Sequence, residues 1–200
     1  MNTELQHVSH AFRTDAGHLL NKATTAFEHS TVKMRTGFQA KIVVDLYMSI
    51  ECSLKSLMCS TGSAASAEDA LRDIFTHGHN LKRLMKSAGS KFLTPDDSKL
   101  LRELNKRGVS LRYDLDLFSL VTNELLCTDT VKFKIDPEYV RNITRIAEGL
   151  CREAQDSHKA KFPSDPRLML SSQIENEIRE LRKLMIRARK KKTKNCLYCC

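Results

Sequence analysis

The chain lacks any long apolar run. In its 200 residues no hydrophobic stretch approaches the roughly 20 residues that a bilayer-spanning helix needs, which argues against a transmembrane segment. The first ten residues, MNTELQHVSH, also lack the basic and then apolar order of a secretion signal. These two absences predict an intracellular protein, which we expect in the cytoplasm.

Strand signals are nearly absent as well. Only residues 130–136, TVKFKID, alternate as a strand does, and they fit an extended connector equally well. Elsewhere apolar residues recur at helical spacing, which predicts long helices over about 9–35 and 39–61. The second is richer in apolar residues and is therefore expected to be the more central.

Local sequence signals predict where further helices begin and end. Asn80 is placed to cap a short helix and Gly89 to end it, whereas residues 63–69 fit a polar loop or a weak helical start. Thr94-Pro95-Asp96-Asp97 and Asp136-Pro137-Glu138 each open another helix. The sequence therefore predicts an all-α fold, an up-and-down helical bundle over residues 1–160.

The last 40 residues read as an appendage to that bundle. Residues 161–170 contain two prolines and predict a linker, residues 171–195 predict a basic amphipathic helix, and residues 196–200 form a Cys-rich tail. Residues 171–200 hold nine Lys or Arg against three Glu, so most of the net charge of +9 lies there. An apolar seam on this helix, from Ile174 to Met185, would also suit a partner helix.

A polybasic run dominates the charge of the appendage. The helix dipole accounts for the two arginines of this run, Arg187 and Arg189, but not for the four lysines that follow them. The run could bind nucleic acid, an anionic membrane or an acidic partner, and no aromatic residue interleaves with it to stack on bases. We treat these six as candidate phosphate-binding residues: Arg187, Arg189, Lys190, Lys191, Lys192 and Lys194.

Cysteine occurs in an odd number, seven. The first four sit singly in apolar periodic stretches, which predicts reduced core thiols: Cys52, Cys59, Cys127 and Cys151. The tail offers Cys196, Cys199 and Cys200, three of the four ligands of a zinc site, and Leu197 stands where prenylation needs cysteine. Zinc shared with another chain, lipidation and a reactive unstructured tail all stay open.

The decapeptide NKRGVSLRYD, residues 105–114, places two arginines and a tyrosine beside a leucine-rich stretch. Arg107 and Arg112 could simply be basic residues at a helix end, paired with Asp114 or Asp116, with Tyr113 half-buried. They could equally grip a phosphate through parallel hydrogen bonds. These three residues are the main candidates for a binding site.

Three fragments resemble the HEPN domain family of helical RNA-binding, nucleotide-binding or ribonuclease domains. Glu51 to Met58, followed by Gly62, resembles its second-helix pattern, in which a glutamate precedes "LK" and two more apolar residues. His79-Asn80-Leu81 resembles its "HDL" element, and Leu101 to Tyr113 resembles the segment with its functional motif. The resemblance covers about residues 9–156. It implies a bundle that usually dimerises, and in active members a metal-independent cut in RNA near the dimer interface.

One position departs from that family motif, because arginine stands where the motif has histidine. The spacing of the motif is kept, because four residues separate Arg107 from Arg112, and Tyr113 follows. Cleavage needs a group that exchanges a proton near neutral pH, and a guanidinium, with a pKa above about 12, cannot do so. The departure predicts a site that holds an anion without cutting it.

His77-Gly78-His79 is the remaining candidate. No Cys, Asp or Glu stands at a familiar ligand spacing from the two histidines, so we expect no metal there and no cofactor elsewhere. They are the histidines nearest to the arginine motif in sequence, and so could replace a lost catalytic base.

Two function hypotheses follow. In the first, a dimeric HEPN-like module binds RNA or a nucleotide through its phosphates without catalysis, with a partner protein such as a nucleotidyltransferase or an antitoxin. In the second, the protein is a metal-independent endoribonuclease of a toxin or defence system, with Arg107, Arg112, His77 and His79 as catalytic candidates. A purely structural or interaction protein would bind neither RNA nor nucleotides.

Overall fold

The computed structural model describes residues 3–29, 36–62, 64–106 and 137–162, together with helical positions 179, 183 and 186. Within these residues the only regular secondary structure is α-helix, and the helices form a bundle, which confirms the predicted fold class. The possible strand at 130–136 and the linker at 163–170 lie outside the described residues. Three helical positions are too few to test the predicted basic helix over residues 171–195.

The bundle in the described residues up to 162 consists of six helices: α1 Thr3–Glu28, α2 Thr36–Thr61, α3 Ala67–His77, α4 Leu81–Ala88, α5 over residues 95–106, and α6 Pro137–Lys161. The periodicity located α2 within a few residues but placed α1 too late in the chain. Residues 63–69 contain a true helix start, because the Ser66 side chain accepts a hydrogen bond from the Asp69 backbone and so caps α3. None of the described helices is both long enough and apolar enough to cross a membrane.

Helix α2 is the centre of the bundle, as its composition predicted. It packs against α1 on one side and α6 on another, and its apolar side chains are almost completely buried. The largest buried side chains of α2 and α6 are Ile42, Leu46, Ile50, Leu54, Leu57, Ile143 and Ile146. Residues at helical spacing thus form one continuous core.

Two of the predicted core thiols are buried on α2. Burial raises the pKa of Cys52 and of Cys59 to about 12, and the nearby Glu51 charge adds to the effect at Cys52. Both thiols therefore stay protonated at neutral pH. Cys151 is half-buried on α6 with its Sγ 3.2 Å from the Ser53 hydroxyl, and Cys127 lies outside the described residues.

A serine stripe, Ser49, Ser53, Ser56 and Ser60, runs along α2 inside the core. The Ser56 and Ser60 hydroxyls lie 3.1 and 3.0 Å from the Ser9 hydroxyl of α1, which is also 3.0 Å from Nδ1 of His158 on α6. Ser49 donates to the Ala16 carbonyl at 2.8 Å. Buried serine hydroxyls therefore join α1 to α2 directly, and they join both helices to α6 through the His158 ring and the Cys151 thiol.

Caps fix the ends of α4 and α5. The Asn80 side chain accepts a hydrogen bond from the Arg83 backbone at the start of α4, and Gly89 ends the helix with a φ of 60°. Thr94 caps α5 by accepting from the Asp97 backbone at 3.1 Å. These caps were predicted correctly because each depends on residues only a few positions apart.

Asp97 joins α5 to α6. Its carboxylate accepts from the Thr94 hydroxyl at 2.8 Å and from the Thr94 backbone at 3.1 Å, and it pairs with Arg145. Burial alone would raise the pKa of Asp97, but the hydrogen bonds from Thr94 and Arg145 outweigh burial and hold the pKa below its ordinary value of 3.8. The ionised form of Asp97 therefore stabilises the folded chain.

Acid is expected to remove this contribution. Because the pKa is lower in the folded than in the unfolded chain, the stabilisation is complete above 3.8 and is lost as the pH falls through the lower folded value. Asp97→Asn should therefore unfold more easily than wild type at neutral pH and approach wild type in strong acid, as measured by urea unfolding at several pH values. Asp96→Asn, at the exposed neighbouring position, is the control and should keep the wild-type profile. Parallel profiles for Asp97→Asn and wild type would contradict the prediction.

Candidate functional site

Most of the sequence-predicted site residues fall outside the described part of the chain. This holds for the decapeptide residues Arg107, Arg112 and Tyr113 and for the polybasic run, Arg187, Arg189, Lys190, Lys191, Lys192 and Lys194. The structure therefore leaves their roles as predictions. It does describe His77, His79 and the first two residues of the decapeptide, Asn105 and Lys106.

The start of the decapeptide contacts the start of α4. The Asn105 side-chain carbonyl, near the described end of α5, accepts a hydrogen bond from the Leu81 backbone at 2.7 Å. The first turn of a helix leaves its backbone N–H groups without intrahelical partners. At the start of α4 the Asn105 side chain accepts from the Leu81 N–H, and the capping Asn80 side chain accepts from the Arg83 N–H. The "HDL"-like fragment and the segment with the arginine motif therefore meet in the fold.

A basic groove lies along α4 and α5 and includes Asn80 at the start of α4. Its volume is about 600 Å³. Among the described residues that line it, four are cations and none is a carboxylate or an aromatic ring. The lining residues are Asn80, Lys82, Arg83, Met85, Lys86, Ser98 and Arg102.

The four cations of the basic groove are available to a ligand. All four are exposed, and within the described residues none of them forms an ion pair. Some other bases of the described residues are paired, since Lys106 lies 3.2 Å from Glu103 and Arg72 lies 3.2 Å from Asp69. Four neighbouring positive charges with no ion-pair partner among the described residues create a local potential that attracts an anion.

Sequence reasoning missed this groove. Three of its cations stand close together in α4 as Lys82-Arg83-Leu84-Met85-Lys86, which was a usable signal of a basic helix face. The fourth, Arg102, joins them only because α5 packs beside α4. The net charge of the bundle does not reveal this cluster, because acidic residues elsewhere in the bundle offset its positive charge.

His79 is held by a buried carboxylate. Its Nδ1 lies 2.9 Å from both oxygens of Glu51, which also pairs with Lys55, and the Tyr47 hydroxyl donates to the His79 backbone carbonyl. The Glu51 side chain is 1% exposed and that of His79 is 52% exposed. The imidazole is therefore oriented from inside the bundle while much of the ring faces solvent.

His77 and His79 do not act as a pair. His77 bonds through Nε2 to the Ser87 hydroxyl at 2.7 Å, whereas His79 faces Glu51. No group of three or more His, Cys, Asp or Glu side chains within the described ranges is arranged to hold a metal ion.

Comparison of the chain with protein-family models, with curated protein sequences and with solved structures finds no match. The HEPN resemblance therefore rests on the three fragments of sequence quoted above.

Proposed function

We propose that this protein is a HEPN-like helical module that binds RNA or a nucleotide through phosphate groups and does not cut it. The observation that carries the proposal is the basic groove, whose four cations lack carboxylate partners among the described residues. Arg and Lys are the side chains that bind phosphate best, Arg through a bidentate fork and Lys as a point charge. Arg107 and Arg112 follow Asn105, which is itself bonded at the groove end of α4, and are expected to extend the same site.

The fold adds support to the HEPN resemblance. Two of the fragments contact each other, because Glu51 and Lys55 of the "LK" pattern meet His79 of the "HDL" element through the Glu51 carboxylate. The third fragment contacts the second through Asn105 and Leu81. Fragments far apart in sequence therefore lie next to one another, as the proposal requires.

The remaining elements of the proposal concern assembly and location. The module is proposed to act as a homodimer in the cytoplasm, with a nucleotidyltransferase or an antitoxin as partner, and its polybasic run is proposed to add affinity for RNA. Two facing copies of Arg107 and Arg112 would form a four-arginine site, which repels itself unless an anion occupies it.

A second candidate function, a metal-independent endoribonuclease, is favoured by one observation. His79 is oriented by Glu51 and exposed next to Asn80, which lines the basic groove. A carboxylate-held imidazole can take a proton from a 2′-hydroxyl, which the guanidinium of Arg112 cannot do.

Labelled RNA incubated with the purified protein in EDTA tests both candidates. Binding is expected by fluorescence anisotropy at low salt, and the RNA should remain intact on a denaturing gel. Arg107→Gln with Arg112→Gln removes two phosphate contacts, which should weaken binding about 25-fold at about 0.1 M salt. Arg141→Gln with Lys159→Gln removes two exposed charges of α6 and is the matched control, expected to change affinity less than threefold or so.

Cleavage would replace the first candidate with the second. In that event Arg107→Ala and His79→Gln should abolish cutting, His77→Gln should not, and Arg112→His should increase it. If neither RNA nor ATP binds at low salt, both candidates fail and the protein acts through protein contacts alone.

A further inference from the structure

We infer that the basic groove recognises the sugar–phosphate backbone of a polynucleotide through successive phosphates, without reading base identity or selecting a free nucleotide. The inference rests on the proposed function and deepens it by choosing between RNA and nucleotide. It follows from three properties of the groove: the state of the α4 N-terminus, the spacing of the cations and the absence of rings from its described lining.

Most backbone N–H groups at the start of α4 are already occupied. Nucleotide sites commonly place a phosphate against the free backbone N–H groups of a first helical turn. In α4, however, the Leu81 N–H already donates to Asn105, the Arg83 N–H to the Asn80 side chain, and the Leu84 N–H to the Asn80 backbone. Only the Lys82 N–H of this turn is left for a ligand, and a single N–H does not form a cradle for a phosphate, so recognition depends mainly on side chains.

The cations come from positions that are spaced along the groove. Lys82 and Lys86 are four residues apart, so they lie on one face of α4 at a rise of about 6 Å. Ser98 and Arg102 have the same spacing on α5, across the groove. Such a row of separated positive charges suits several phosphates of one strand better than the clustered phosphates of a nucleotide.

The described lining offers little for a base to contact. It contains no aromatic ring for stacking, and Met85 is its one apolar side chain. The carbonyl oxygen of the Asn80 side chain is already used in capping α4, which removes an acceptor for a base edge. Because the described lining offers no ring for stacking and the Asn80 carbonyl is occupied, we expect the affinity to come mainly from phosphate neutralisation and to depend on salt more than on sequence.

Fluorescence anisotropy with oligomers of about 12 nucleotides tests the inference, since this length fits within known single-strand site sizes. The probes are oligo(U), oligo(A) and oligo(dT), and the competitors are ATP and an acidic poly-glutamate peptide. We expect the three oligomers to bind within about threefold of one another, and ATP to compete at least tenfold or so more weakly than unlabelled oligo(U) at equal phosphate concentration.

Substitution of the groove cations localises the effect. Each phosphate contact contributes about 0.7 to the slope of log K against log salt for single strands, so Lys82→Gln with Arg83→Gln should lower the slope by about 1.4 and the affinity about 25-fold at about 0.1 M salt. Arg141→Gln with Lys159→Gln should leave the slope unchanged. Both pairs keep the polybasic run intact, and circular dichroism confirms that each variant is folded.

Several results would overturn the inference. ATP competing as well as oligo(U), or a preference above tenfold or so between oligo(U) and oligo(A), would show a nucleotide or base-reading site and would leave the proposed function standing. Competition by poly-glutamate as strong as that by oligo(U) would indicate that the groove binds an acidic protein. An unchanged slope in Lys82→Gln with Arg83→Gln would place the binding elsewhere, and failure of every probe to bind would remove the proposed function as well.

Discussion

Glu51→Met is expected to lower the free energy of unfolding by about 3–5 kcal/mol, which is the usual cost of leaving one partner of a buried ion pair alone. The Lys55 side chain is only 11% exposed and lies against the Glu51 carboxylate, so its ammonium would lose its counter-charge inside the bundle. His79 would also lose the acceptor of its Nδ1. Urea unfolding followed by circular dichroism measures the loss.

The double variant Glu51→Met with Lys55→Met separates this effect from simple loss of packing. Methionine is flexible and close in size to both residues, and an apolar pair in place of a buried ion pair is often neutral or stabilising. The double variant should therefore recover most of the stability lost by the single one. A double variant as unstable as Glu51→Met would contradict the argument and would mean that the carboxylate acts mainly by holding His79.

Leu54→Ala is expected to cost about 3–5 kcal/mol of unfolding free energy. Leu54 is completely buried in the middle of α2, where α1 and α6 pack on either side and leave little room for the core to collapse into the cavity. The loss includes the transfer of the removed methyl groups and the cavity that remains.

Leu54→Met and Leu20→Ala are the matched controls for this substitution. The first keeps the volume and should cost less than about 1.5 kcal/mol. The second makes the same truncation at a half-buried position of α1 and should cost clearly less than Leu54→Ala. Equal losses in Leu54→Ala and Leu20→Ala would mean that α2 is not the tightly packed centre of the bundle.

Local sequence signals predicted the helices well because the interactions that make them are local. As expected, Asn80 and Thr94 cap the starts of α4 and α5, and Gly89 ends α4. Each cap or stop involves residues within one turn. The apolar periodicity of α2 likewise predicted its burial. The start of α3 at Ser66 was left undecided, because a short polar stretch fits a loop as well as a capped helix, and the rest of α3 was not predicted.

The candidate site could not be predicted in the same way. Arg102 joins the cations of α4 only through the packing of two helices, and Glu51 meets His79 across 28 positions of sequence. No periodic pattern records which side chains from different helices face each other. The arginine motif was found by its spacing, and its role stays a prediction because Arg107 and Arg112 lie outside the described residues.

The serine stripe of α2 limits how this bundle can move. Sliding α1 by one turn would displace the Ser9 hydroxyl by about 5.4 Å, so that it would still meet a serine of the stripe but would lose its hydrogen bond to His158 on α6. A lost buried hydrogen bond costs about 1–3 kcal/mol, so a ratchet of α1 past its neighbours is disfavoured. A ligand in the basic groove would therefore act on the helix ends around it, while the three central helices keep a fixed register.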